Sequence, residues 1–220
     1  MVFKYYKKLK KNWNRGKQHR GESLIQKVGR IGQKVAYIGG MVNAEKQYKD
    51  INASQSPSFN GSITCLSAIA QGDDVGGRTG NSILAKSLFV NFSIGINASA
   101  TQTMVRCLIF IDMLNTGTAT TATELLTSAY VGNGYAPLAP LNVDFTTRYR
   151  VLVDKKYTLS NQGTKMLAVK VYKKLHKHVK YTGSASTDVY KNNIYMLLIS
   201  DENANAPLVN WVSRLGYYDN

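Results

Sequence analysis

Acidic side chains are scarce in this 220-residue chain: 13 Asp and Glu stand against 28 Lys and Arg, a formal net charge of +15. An excess of that size argues against acidic partners and points to a polyanion, either nucleic acid or an acidic membrane surface. Cysteine is nearly missing. Cys65 and Cys107 are two lone thiols in strand-like patterns, which excludes a disulfide framework and reads as two reduced core residues. No apolar run reaches the roughly 18 residues of a spanning helix, so stable membrane insertion is not expected. The stretch Met1–Lys11 lacks the apolar run of a signal peptide, and cytosol or nucleus is the expected compartment. Without secretion the four sequons at Asn52, Asn60, Asn91 and Asn97 carry no weight.

Catalytic chemistry is missing as well. No Ser-His-Asp, Cys-His or paired-carboxylate arrangement stands out, so no enzyme, no catalytic residue and no cofactor is expected. Gly72–Thr79 nearly spells a phosphate-binding loop, but Arg78 stands where the lysine belongs and Asp73 and Asp74 would repel phosphates. A plain turn between strands is the better reading. His176 and His178 share one face of a strand, yet no third ligand is in sight and no metal is expected. Asp73 and Asp74 as calcium ligands are no more than two adjacent loop carboxylates.

What is present is unevenly placed. Residues 1–50 carry 13 basic and 3 acidic side chains, net +10; residues 51–220 carry 15 and 10, net +5. The expected organisation is a basic nucleic-acid-binding arm at 1–23, an amphipathic helix at 24–50 and a body at 51–220. In the arm, Lys4, Lys7, Lys8, Lys10, Lys11, Arg15, Lys17 and Arg20 alternate with Phe3, Tyr5, Tyr6 and Trp13. So little apolar area cannot offset the ordering entropy, and free in solution the arm is expected to be disordered. Its cations suit phosphates and its rings suit unstacked bases, so it reads as a single-strand-binding arm.

Residues 24–49 read as a helix. Leu24, Val28, Ile31, Val35, Ile38 and Val42 form one apolar stripe, with a capping box offered by Ser23 and Gln26. Gly29, Gly32, Gly39 and Gly40 each cost about 1 kcal/mol relative to Ala, so the helix needs something to pack on. A membrane-active basic helix is the rival reading.

From residue 60 the texture changes to strands. Those expected are Ser62–Ala70, Ser82–Ile96, Thr103–Met113, Arg148–Leu159, Met166–Lys173, His176–Tyr181, Asn193–Ser200 and Leu208–Tyr218. In the second, Leu84, Leu88, Val90, Phe92, Ile94 and Ile96 are expected on the buried face, interrupted by Lys86. The third is apolar on both faces and should be a covered central strand. Eight short strands with turn residues between them fit an all-β class, a single eight-stranded antiparallel jelly roll. The cluster from Lys170 to Tyr181 holds Lys170, Lys173, Lys174, Lys177 and Lys180. It reads either as edge strands protected by lysine or as a second surface for nucleic acid.

Seven phrases carry a resemblance: Tyr37–Glu45, Ile69–Asp73, Arg78–Ile83, Pro137–Asn142, Arg148–Lys155, Tyr172–Leu175 and Tyr195–Asp201. In order, over residues 35–218, they resemble the capsid proteins of circular, replication-protein-encoding single-stranded DNA (CRESS-DNA) viruses. More distantly they resemble the coat of satellite tobacco necrosis virus. The resemblance implies one jelly roll per subunit and a homo-oligomer forming the smallest (T=1) icosahedral shell, with the basic arm inward on a single-stranded DNA genome. It implies residence in the virion, with assembly in the host nucleus. The arm here is lysine-rich where many such relatives carry arginine, which implies a looser, more salt-sensitive grip. Two other classes stay open: a single-strand-binding protein that never forms a shell, and a sugar- or receptor-binding jelly roll with a basic tail.

Overall fold

The computed structural model describes residues 24–41, 45–114 and 120–219. The chain divides into two compact units, residues 1–44 and 45–220. In the first, helix α1 spans Leu24–Met41. Its stripe residues Leu24, Val28, Ile31 and Val35 are all exposed, as are Lys27, Arg30 and Lys34 on the other faces. Among the described residues, no helix is long and apolar enough to cross a membrane.

The helix is shorter than its periodicity suggested. A strand, β1 (Glu45–Gln55), begins inside the stretch read as helical. From Lys46 onward the exposure alternates with period two, and Ile51 and Ala53 pack on the core. Eleven consecutive pairs tie β1 to the last strand, from Glu45 opposite Asp219 to Gln55 opposite Val209. The ladder outweighs whatever helical preference Glu45–Lys49 has.

The second unit is two antiparallel sheets face to face. The strands after β1 are β2 (Ser62–Cys65), β3 (Ser82–Gly95), β4 (Gln102–Asp112), β5 (Tyr149–Ser160), β6 (Met166–Tyr181), β7 (Val189–Lys191), β8 (Asn193–Ser200) and β9 (Leu208–Asp219). One sheet runs β1-β9-β3-β6-β7 and the other β2-β8-β4-β5. With the three-residue β7 set aside, eight strands form two four-stranded sheets, and β1→β2, β3→β4, β5→β6 and β8→β9 each pass from one sheet to the other. That is the jelly-roll winding. The main core lies between the sheets, with Leu88, Val90, Phe92 and Ile94 facing Val105, Cys107, Ile109 and Met196.

A second apolar cluster covers the far face of the four-stranded sheet. Leu108, Phe110, Tyr195, Leu197 and Ile199 pack under Ala122, Leu125, Leu126, Ala136 and Ala139. These last five belong to the long connection between β4 and β5, which includes a one-turn helix α2 (Ala122–Leu125). β4 and β8 are therefore buried on both faces, and their sequences are apolar on both phases, with Arg106 the one charge inside the β4 run. Two buried arginines fasten this cover. Arg148 donates two hydrogen bonds to Asp112, with Nη2 2.9 Å from Oδ2. Arg106 grips Asp154 at 2.8 and 2.7 Å and reaches the carbonyls of Pro137 and Ala139.

Three strand readings need correction. In β3 the buried residues are Ile83 and Ala85, then Leu88, Val90, Phe92 and Ile94. The register shifts between Ala85 and Ser87 against both neighbours: Lys86 is an extra residue against β9, while Leu175 and His176 of β6 face it as a pair, and the phase of β3 changes there. Leu84 therefore lies on the opposite face from Leu88. The two basic strands expected at 166–173 and 176–181 are one 16-residue strand, β6. At Lys174–Leu175 the strand continues with one residue more than β3, since Ala85 opposes Lys177 and Ser87 opposes Lys174. Finally, the first expected strand stops at Cys65, and Ile69 turns into the main core while Ile63 and Cys65 pack on the second cluster.

Candidate nucleic-acid interface

The arm residues Lys4, Lys7, Lys8, Lys10, Lys11, Trp13, Arg15, Lys17 and Arg20 lie outside the described residues. The second basic cluster is fully described, and strand geometry divides it. Side chains alternate along β6. Lys170, Lys174 and Lys180 are exposed on the outer face with Tyr172, His176 and His178. Lys173 and Lys177 are half-buried on the side of Val171, Leu175 and Val179. The structure brings together three of the five lysines and separates two.

Outer-face residues from four strands line up beside those three lysines. The pairings give cross-strand rows in the order β1, β9, β3, β6: Lys46, Tyr218, Leu84, His178; then Tyr48, Gly216, Ser87, Lys174; then Asp50, Arg214, Phe89, Tyr172. Two further rows follow: Asn52, Val212, Asn91, Lys170; then Ser54, Asn210, Ser93, Ala168. The last two rows floor an open trough of about 430 Å³. Asp50 is the single carboxylate in these rows, and Arg214 neutralises it through two hydrogen bonds of 2.7 and 2.6 Å. That pairing holds the Asp50 carboxyl below its ordinary pKa.

Cations and rings are interleaved across the face. Lys46 lies 5.2 Å from the Tyr48 ring centroid, Lys86 5.3 Å from Tyr218, Lys170 5.4 Å from Phe89 and Arg214 5.8 Å from Tyr48. Such spacings fall within cation–π range. A hydrogen bond with Tyr48 raises the Lys46 pKa above its ordinary value, so the ammonium stays charged. A Cβ on Gly216 would come within 3.4 Å of the Tyr48 ring, so that ring lies against the glycine. Tyr48 is 43% exposed and Tyr172 56%.

The other motifs resolve differently. Arg78 is fully buried, its Nε donating to the Ile69 carbonyl at 2.9 Å and its Nη1 to the Gly80 carbonyl at 2.6 Å. The Gly183 carbonyl accepts from Nη2. The guanidinium that would meet a phosphate points into the protein, and Gly72–Thr79 is a turn. His176 lies 3.4 Å from Lys86 Nζ. Among the described residues, no three His, Cys, Asp or Glu side chains gather as metal ligands.

Residue-type clustering along the sequence marked the β6 lysines but not Lys46, Tyr48, Lys86, Phe89, Arg214 or Tyr218. These sit on three other strands and meet only through register. The available signal was the period-two phase of each strand, and at Lys86 the bulge breaks it.

The described residues thus form a jelly roll whose five-stranded sheet carries a basic, aromatic outer face. The family model described as "Satellite tobacco necrosis virus coat protein" matches residues 15–219. The coat protein of Maize white line mosaic satellite virus is 26% identical over 190 residues, covering 83% of this chain and 85% of that protein. A solved chain from turnip yellow mosaic virus overlaps 80% of each chain at 12% identity, with a TM-score of 0.35. The chain belongs to the satellite tobacco necrosis virus coat protein family. It is a viral capsid protein of the virion, structural rather than enzymatic.

Proposed function

We propose that this chain assembles into a small T=1 icosahedral shell and packages a single-stranded DNA genome through its lysine-rich arm, with assembly in the host nucleus. The coat-family match across residues 15–219 carries the shell. Subunit contacts are supported by apolar side chains standing in solvent on two loops. Val75, Tyr135, Leu138 and Val143 are 91%, 67%, 53% and 77% exposed, in the connections β2–β3 and β4–β5. A symmetric neighbour docked on these loops would bury them.

The eight Lys and Arg among residues 1–20, without one acidic residue, support the arm as the genome's anchor. Binding then runs by counterion release, with a log–log salt slope of about −0.7 per phosphate neutralised on a single strand. Lysine ammonium groups report phosphate position and not base identity, so packaging is sequence-tolerant. Support for DNA comes from the resemblance to CRESS-DNA virus capsids. The test is electron microscopy and sedimentation of purified particles, followed by DNase and RNase digestion of their extracted nucleic acid. Megadalton shells holding DNase-sensitive single strands are expected. A small soluble complex would favour a shell-free binding protein, and RNase-sensitive contents would replace the DNA genome by RNA.

A further inference from the structure

We infer that the outer face of the β1-β9-β3-β6 sheet is a second nucleic-acid site, which stacks unpaired bases on Tyr48 and Tyr172 and holds their phosphates with flanking lysines. The inference rests on the reading that this coat packages a single-stranded genome, and assigns that strand a docking surface on the folded body.

Three observations converge. First, the face is cationic: Lys46, Lys86, Lys170, Lys174 and Lys180 stand on it, and its one carboxylate, Asp50, is already paired with Arg214. Second, Tyr48 and Tyr172 present exposed rings in adjacent rows of the sheet. Strands lie about 4.8 Å apart and successive same-face rows about 6.7 Å, so three strand spacings and one row put the Cα positions of Tyr48 and Tyr172 roughly 16 Å from each other. That separation suits bases a few nucleotides apart on one extended strand rather than the stacked bases of a duplex. Third, the trough beside the rings has a floor of Asn52, Asn91 and Asn210 amides, which offer both donors and acceptors to base edges.

An all-lysine surface would bind duplex and single strand alike. Rings require bases that are free to stack, so this face selects unpaired nucleic acid. Lys46 and Arg214, 5.2 and 5.8 Å from the Tyr48 ring centroid, place cations beside that ring for the phosphates of a stacked strand. The chemistry is shared by single-stranded DNA and RNA, and both are probed.

The experiment uses the full-length protein with single-stranded DNA and RNA oligonucleotides carrying 5-iodouracil. The mixtures are photo-crosslinked, and the attachment sites are mapped by mass spectrometry. Crosslinks at Tyr48 or Tyr172 are expected. The double substitution Y48L/Y172L should lose them and weaken single-strand binding by about tenfold or more, leaving duplex binding unchanged. The ring-retaining pair Y48F/Y172F should restore both, which separates stacking from damage to the fold. Crosslinks confined to residues 1–23, or equal binding by the leucine and wild-type proteins, would overturn the inference while leaving packaging by the arm intact. Weakening by K170A/K174A without any effect of the tyrosines would reduce the face to a phosphate contact and also overturn it. Particles without protected nucleic acid would instead defeat the packaging reading itself.

Discussion

The Arg78 guanidinium lies 4.1 Å from the centroid of the Tyr181 ring, fully buried and satisfied by carbonyl oxygens from both sides of the sheet's end. The Tyr181 hydroxyl in turn donates to the Ser67 carbonyl at 2.8 Å. One arginine thereby ties the turn before β3 to the end of β6 and the segment after β2. Replacing it with methionine keeps the volume but strands several carbonyls. Arg78→Met is expected to cost about 3 kcal/mol or more, read as a lowered denaturant midpoint. Arg78→Lys should rescue only part of this, because one ammonium cannot fork to three carbonyls.

Cys107 and Cys65 sit on opposite faces of the four-stranded sheet. Cys107 packs in the core between the sheets, while Cys65 lies under the β4–β5 connection. No bridge between them is expected in freshly purified protein, by non-reducing mass spectrometry. Burial pushes the Cys107 thiol up to about 12 and raises that of Cys65 as well. The reactive thiolate is therefore rare at pH 8, and alkylation by iodoacetamide should be slow until denaturant opens the sheets.

Deleting residues 1–20 removes 8 of the 28 basic side chains and no acidic ones. The body from Glu45 keeps its sheets and both apolar clusters, so its melting temperature should barely change. The salt dependence of single-strand binding should flatten by about five to six log–log units, and nuclease-protected nucleic acid per particle should collapse. Full retention of both would move the anchor from the arm to the folded body.

Gly29 and Gly32 stand in mid-helix in α1, and an added Cβ at either meets nothing within 4 Å. Each Gly→Ala change should favour the helix by about 1 kcal/mol. A gain in helical circular dichroism without change in the β signal checks this. A loss of shell assembly in the same variants would show that those glycines make room for a neighbouring subunit.

Much of the jelly roll was legible because its core strands carry their own phase. β4 and β8 could be recognised because apolar residues occupy both phases of each strand, Arg106 apart, since both of their faces are covered. β1 was hidden: Glu45–Asp50 has almost no apolar residue, and its strand character comes from pairing with β9, over 150 positions away. The bulge at Lys86 was visible only as an interruption, because a polar residue inside an alternating run does not say whether the phase resumes or shifts. Likewise the β6 lysines announced a charged surface, while their division between two faces needed the strand to be one piece. Phe89 and Tyr218 looked like ordinary strand residues and Tyr48 lay in the stretch read as helix, until register placed all three in one field with the lysines.

The position of β9 between β1 and β3 has a consequence for synthesis. As the chain leaves the ribosome, β1 and β3 emerge long before the strand that must fill the gap between them. The five-stranded sheet cannot close until residues 208–219 are made, and closing it spans most of the chain, a slow step by its contact order. A product halted before Leu208 retains every cation of the arm but not a finished body. The last strand made is thus the one that joins the first strand to the rest of its sheet, so the sheet is completed only once the polypeptide is.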